Sequence, residues 1–268
     1  MSGSHPSTVE EKRRALLQLR LRRKREEIVA QREERSREEQ ATVSPLVPLR
    51  PEGARPPLFL VHAVGGSVAP YVGLAGLLGD DQPVYALEDP GLNGGAVQAR
   101  GLPAIATAYL AAVRDVQPDG PLHLGGWSGG GAIALEMARQ DGDVAVVLVI
   151  DTAFPAEPVH PDDDELRTWF AADMAGMGAE LGEAEWAKRF PVFAANVRTF
   201  LGHRPSPVDA RVVLLSTEDS EAEYLDRWRA HADAIHVVPG NHYTMFQPPH
   251  IESLAEVLRD RLSEVNVR

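Results

Sequence analysis

Gly125-Gly126-Trp127-Ser128-Gly129-Gly130-Gly131 decides how the rest of the chain is read. A strand-like run, Pro121-Leu122-His123-Leu124, precedes it, and a helix-like run, Ala132-Ile133-Ala134-Leu135-Glu136-Met137-Ala138-Arg139, follows it. Strand, tight glycine turn and helix is the context that holds a nucleophilic serine, and Gly126 and Gly130 flank Ser128 as G-x-S-x-G. The glycines answer crowding: the turn is so sharp that the serine takes a strained backbone conformation, and only small neighbours fit beside it. Ser128 then stands at the N-terminus of the following helix. Free N–H groups and the positive end of the helix dipole are available there to a developing oxyanion. A phosphate-binding turn is the competing reading. The stretch lacks the Lys-Ser/Thr of a phosphate loop and does not fit G-x-G-x-x-G.

A serine hydroxyl is a weak nucleophile at neutral pH; it needs a base, and the base needs a group that orients it. His242 is the best placed base, in Pro239-Gly240-Asn241-His242-Tyr243, directly after the strand-like Ile235–Val238. That is a loop at the C-terminal edge of a sheet, where such folds hold their chemistry. His236 lies within a strand, His250 enters the last helix and His231 ends another, so they compete less well. Two carboxylates are candidates for the orienting acid. Asp151 immediately follows the apolar run Val146–Ile150, and Asp219 lies beyond Val212–Leu215 in Ser216-Thr217-Glu218-Asp219. Either gives the chain order Ser, Asp, His. Asp151 is delivered within one residue of its strand's end, whereas Asp219 sits in a polar acidic loop. An oxyanion hole needs a second donor beside the amide of Gly129. The loop Val61-His62-Ala63-Val64-Gly65-Gly66-Ser67 follows the first body strand, and the amide of Val64 is its candidate donor; His62 is expected only to shape the loop.

The 268 residues are 44% hydrophobic, enough for one sizeable core with appendages. No stretch approaches the ~18–20 apolar residues of a membrane span, and the first residues are not an apolar signal sequence. Cysteine is absent, which excludes disulfides and thiolate metal ligands and suits a cytoplasmic location. No His/Asp grouping at metal spacing appears, so no metal site is expected. Residues 1–40 hold 11 Lys/Arg and 8 Asp/Glu, while the remainder holds 16 and 31. An acidic body argues against nucleic acid as a partner.

Residues 9–40 read as a charged helix with a narrow stripe of Leu17, Leu21 and Ile28, either simply solvated or a docking element for a partner protein. Residues 41–57 carry five prolines and read as a linker. The expected division is 1–50, a helical extension and linker, and 51–268, the main domain. In that domain, strand-like runs at Leu58–Val64, Pro83–Leu87, Leu122–Gly125, Val144–Ile150, Val212–Leu215 and Ile235–Val238 alternate with helix-like runs. Continuous apolar strands separated by helices predict a mostly parallel α/β sheet flanked by helices. Residues 155–207 contain no convincing strand and read as a helical lid over the cleft.

Together these stretches resemble the thioesterase domains that unload acyl chains from the carrier proteins of nonribosomal peptide and polyketide synthases. The resemblance rests on the Val61–Ser67 loop, Gly126–Gly131, Val149-Ile150-Asp151-Thr152 and Val238–Met245. The segment Val192-Phe193-Ala194-Ala195-Asn196-Val197-Arg198 also looks familiar from these enzymes. It implies an α/β-hydrolase fold, with Ser128 as nucleophile, His242 as base, and Val64 and Gly129 amides at the oxyanion. In chain-terminating members the acid commonly follows the strand after the elbow helix, which matches Asp151; stand-alone editing members more often carry it one strand later, near Asp219. The resemblance further implies an acyl or peptidyl carrier protein as partner, in cis or in trans. The substrate would ride on its phosphopantetheine arm, and the domain would bind no cofactor of its own. Release would be hydrolytic or cyclising. An editing thioesterase and a small-ester carboxylesterase are the alternatives.

Overall fold

The computed structural model describes residues 44–95, 97, 101–153, 159–204 and 206–265, together with Lys24. The charged segment expected at 9–40 therefore lies outside the described residues, apart from Lys24. The chain divides into two units, 1–43 and 44–268, and the second carries everything below.

Among the described residues of that unit, seven strands form one sheet in the order β1-β3-β2-β4-β5-β6-β7. They are β1 Leu46–Arg50, β2 Leu58–Val61, β3 Val84–Leu87, β4 Leu122–Trp127, β5 Val144–Ile150, β6 Arg211–Thr217 and β7 Ala234–Val238. All neighbours run parallel except β1, which pairs antiparallel with β3. This is the mostly parallel sheet that the apolar runs predict. The exception is β1, which falls in the stretch read as linker. Its Pro48 gives no amide to a ladder and is tolerated because β1 is an edge. The 44–268 unit thus begins before the boundary expected at residue 51.

The helices are α1 Pro70–Leu77, α2 Leu102–Val116, α3 Gly129–Asp141, α4 Asp163–Gly176, α5 Glu183–Leu201, α6 Ala222–Trp228 and α7 His250–Val265. Side chains alternate across a strand, and here each alternate set meets a different helical layer. Leu58, Leu60, Val146, Leu148 and Ile150 pack with Leu74 of α1 and Leu254 and Leu258 of α7. Phe59, Val61, Val147 and Val149 pack on the other face, with Val113 of α2 and Met137 of α3. Strands buried on both faces are therefore mostly apolar, and β5 is so without interruption. A fully buried residue such as Leu148 would cost about 2–5 kcal/mol when cut back to Ala.

Between β5 and β6 the chain forms α4 and α5 with a small core of their own, including Leu166, Phe170, Phe193 and Val197. The start of α4 is fixed by a reciprocal cap. Asp162 accepts from the amides of Asp164 and Glu165 at 2.9 Å, and Glu165 returns a bond to the Asp162 amide at 2.9 Å. Arg198 of α5 pairs with Asp163 of α4.

Candidate active site

Ser128 lies between β4 and α3 with φ 56°, in the left-handed region that side chains avoid. The surroundings over-determine it. A Cβ on Gly126 would lie 2.3 Å from the Gly130 carbonyl carbon, and one on Gly130 would lie 2.3 Å from the Val61 carbonyl oxygen. No side chain fits at either place, so the G-x-S-x-G spacing is a packing requirement. The Ser128 amide donates to the Ile150 carbonyl at 2.9 Å, and the Thr152 hydroxyl donates to the Ser128 carbonyl at 2.7 Å. Both bonds tie the elbow to the end of β5.

Asp151 occupies that end, with φ 43° and its amide donating to the Leu215 carbonyl at 2.7 Å. Its Oδ2 is 2.6 Å from His242 Nδ1. Asp219 does not reach His242; its Oδ1 accepts from the Thr217 hydroxyl at 2.6 Å. Of the two carboxylates that the sequence leaves open, the geometry joins Asp151 to the imidazole. With Nδ1 directed at a carboxylate, Nε2 is the nitrogen left for a substrate or a hydroxyl. The ring lies against Trp127, tilted by 36° at 5.0 Å between centroids, and meets Tyr243 edge-on at 5.1 Å.

Val64 and Gly129 approach each other closely: a Cβ on Gly129 would lie 2.7 Å from Val64 Cγ1. Gly129 opens α3, so its amide has no intrahelical acceptor. His62 is buried behind this loop, with Nδ1 2.6 Å from the Ala63 carbonyl and Nε2 2.7 Å from the Tyr109 hydroxyl. Burial pulls its pKa down, against the opposing charge of Asp89. It braces the loop. His236 and His250 belong to β7 and α7 and do not line the cleft around Ser128.

Several supports of the site were not singled out from sequence. The Tyr71 hydroxyl donates to the Val61 carbonyl at 2.6 Å and accepts from the Trp127 amide at 2.9 Å, joining the ends of β2 and β4. The buried Trp228 indole donates to the Thr152 carbonyl at 2.8 Å. Asn196 of α5 donates to the Val64 carbonyl at 3.2 Å.

Ser128 and His242 lie between two cavities. One, of about 190 Å³, runs under α4 and α5 and is walled by Val64, Phe170, Met174, Met177, Ala179 and Leu181. The other, of about 270 Å³, has a mixed lining that includes Asp151, Thr217, Asp219, Tyr224 and Phe200. Among the described residues no group of three or more metal-ligating side chains is placed to hold an ion, and no helix is long and apolar enough to cross a membrane.

The family described as Thioesterase domain matches residues 56–262. The chain belongs to that family. Relatives of this thioesterase domain include nonribosomal peptide and polyketide synthases. Nonribosomal peptide synthetase btyA of Aspergillus terreus is 43% identical over 97 residues, 36% of this chain and 10% of the synthetase. Malpibaldin synthetase of Mortierella alpina is 29% identical over 243 residues, 83% of this chain and 4% of that one. The thioesterase domain thus spans a tenth or less of these relatives. Among solved structures, the NocB thioesterase domain, in covalent complex with a fluorophosphonate nocardicin G analog, is 30% identical. It superposes with a TM-score of 0.71 over 81% of this chain and 99% of its own. The α/β-hydrolase architecture expected from the resemblance is the architecture these neighbours share.

Proposed function

We propose that the domain releases an acyl or peptidyl chain from the phosphopantetheine arm of a carrier protein, through a covalent ester on Ser128. The observation that carries this reading is the 2.6 Å contact between Asp151 Oδ2 and His242 Nδ1 beside a strained serine. In the first half-reaction His242 Nε2 takes the Ser128 proton as Oγ bonds to the thioester carbonyl carbon. The resulting oxyanion is held by the amides of Val64 and Gly129. Collapse breaks the C–S bond, and the imidazolium returns its proton to the departing thiol. Asp151 keeps the imidazole in the required tautomer and stabilises its charged form without taking the proton itself. In the second half-reaction water, or a hydroxyl or amine of the chain, attacks the ester by the same route. The α4–α5 insertion acts as a lid: its apolar wall takes the acyl chain, and the second groove beside Ser128, which Asp151 and Asp219 line, remains for the arm and the incoming nucleophile.

The acid following β5 favours chain release over carrier editing. Residues 9–40, with Arg20, Arg22, Arg23, Lys24 and Arg25 close together, are assigned to docking on a partner protein. Loss of residues 1–43 is then expected to spare a small soluble thioester and to slow the carrier-borne substrate.

The test is a mass spectrum of the intact protein after exposure to carrier proteins loaded with different acyl groups. An acyl adduct on Ser128 is expected, with a free carrier as the other product. Failure of fluorophosphonate to label Ser128, in a protein that is folded, would overturn the mechanism.

A further inference from the structure

One face of α4 reads Leu166, Phe170, Asp173 and Met174, spaced by three and four residues as one helical face requires, and Met177 continues it just past the end of the helix. Leu166, Phe170 and Met174 are buried. Asp173 interrupts an otherwise apolar stripe, and it lines the 190 Å³ cavity together with Ser128 and His242. A carboxylate there carries a desolvation cost. Burial pushes its carboxyl above the ordinary carboxylate range, while the neighbouring Tyr243 hydroxyl and His242 act in the opposite direction. Among the described residues no lysine or arginine balances its charge. Arg189, the other charged wall of the cavity, has its Nε on Glu185 Oε2 at 2.8 Å.

Structural support alone does not account for Asp173. Tyr243 is already held from elsewhere: it meets His242 edge-on, it meets Trp127 edge-on at 6.5 Å, and it packs on Gly176, where a Cβ would lie 2.4 Å from its Cε2. An asparagine would serve as a neutral partner for its hydroxyl without burying charge. What the carboxylate adds is a negative charge, with no lysine or arginine beside it among the described residues, at the wall of a small cleft that Ser128 and His242 also line. Pockets for drug-sized ligands run to several hundred Å³, so a cavity of about 190 Å³ keeps any bound group within a few atoms of Ser128.

We propose that Asp173 determines specificity, pairing with a protonated amine carried on the acyl chain close to the thioester carbonyl. The inference rests on the reading of Ser128 as an acylated nucleophile and adds the chemical class of what is loaded on it. A charge-assisted contact in such a site contributes enough to change a rate constant about tenfold or more.

The experiment uses two pairs of N-acetylcysteamine thioesters that differ by ammonium against methyl: alanyl against isobutyryl, and 3-aminopropanoyl against butanoyl. The full chain is expected to favour the amine in at least one pair by about tenfold or more in kcat/KM. Asp173→Asn is expected to bring that ratio close to one, with hydrolysis of the neutral member and fluorophosphonate labelling of Ser128 nearly unchanged. Tyr243→Phe, which keeps the carboxylate, is expected to retain the preference. Equal turnover of both members by the unmodified protein overturns the proposal, as does a preference that survives in Asp173→Asn. A uniform loss on all four substrates in Asp173→Asn, with a lowered thermal midpoint, reduces Asp173 to a structural support and overturns it too. If the unmodified protein turns over none of the four and Ser128 is not labelled, the nucleophile reading itself fails, and this proposal fails with it.

Discussion

The Asn196 side chain donates to the Val64 carbonyl at 3.2 Å. The same amide group reaches the Asp89 carboxylate at 2.9 Å, and Asp89 also receives the amide of Gly91 at 2.8 Å. One buried side chain of the α4–α5 insertion therefore holds the peptide that follows Val64, next to the Val64 amide in the loop assigned to the oxyanion. The insertion is coupled to the chemistry through this bond as well as through the walls of the cavity.

Asn196→Leu keeps the size of the side chain and removes the donor. Direct loss of an oxyanion donor costs about 10²–10³ in kcat, and Asn196 acts one step removed, through the Val64 backbone. A fall of about tenfold in kcat on a soluble thioester is expected, along with about 1–3 kcal/mol of stability from the partners left unsatisfied. An unchanged kcat in a folded variant would separate this bond from catalysis.

Ser128→Ala deletes one hydroxyl at a position whose neighbours do not depend on it, since the hydrogen bonds that tie Ser128 to β5 are made by its backbone. Alanine keeps the Cβ, so the strain of the positive φ stays as it was. Turnover is expected to fall by about 10³-fold or more, with the thermal midpoint preserved. Near-native turnover in the purified variant would exclude the acyl-enzyme route.

Much of the fold was legible because the sheet is buried on both faces. Val144–Ile150 contains no polar residue, and it is a strand over that range. β1 was not legible, because Pro45, Pro48 and Pro51 mark a linker by composition and only the antiparallel register with β3 makes the segment a strand. Within the site, Ser128 and His242 stood out through local context. Thr152 and Tyr71 did not, since their bonds to the Ser128 carbonyl and the Trp127 amide are set by how the strand ends meet. Asn196 meets a loop 132 residues away, a pairing that no local pattern encodes.

Acid should destabilise the domain partly through its buried histidines. His123, inside β4, is pulled down from 6.5 to about 4 by burial. The unfolded chain takes up that proton first, so the contribution is complete above pH 6.5 and is lost as the pH falls toward and through about 4. At pH 4 the loss amounts to roughly 3 kcal/mol. His123→Leu removes the titration, and its unfolding free energy is expected to fall less steeply between these limits in urea titrations. Parallel curves for the two proteins would show that His123 does not contribute.

The two acids near the imidazole make a sharper test, because both lie in the same groove. Asp151 and Asp219 line the same cavity as Ser128 and His242. Only Asp151 touches the ring, at 2.6 Å, from a backbone locked by the Leu215 carbonyl and by the end of β5. Asp151→Asn preserves the shape and reverses one hydrogen bond, so that the side-chain amide favours the imidazole with its proton on the wrong nitrogen. A loss of about 10⁴ in kcat is expected, as for the acid of comparable triads. Asp219→Asn alters a group whose partner is the Thr217 hydroxyl, and its effect on kcat is expected to be small. Measuring both variants on one soluble thioester decides the matter. Comparable losses would make the pair a shared electrostatic support, and a loss confined to Asp219→Asn would transfer the orienting role to β6 and turn the reading toward carrier editing.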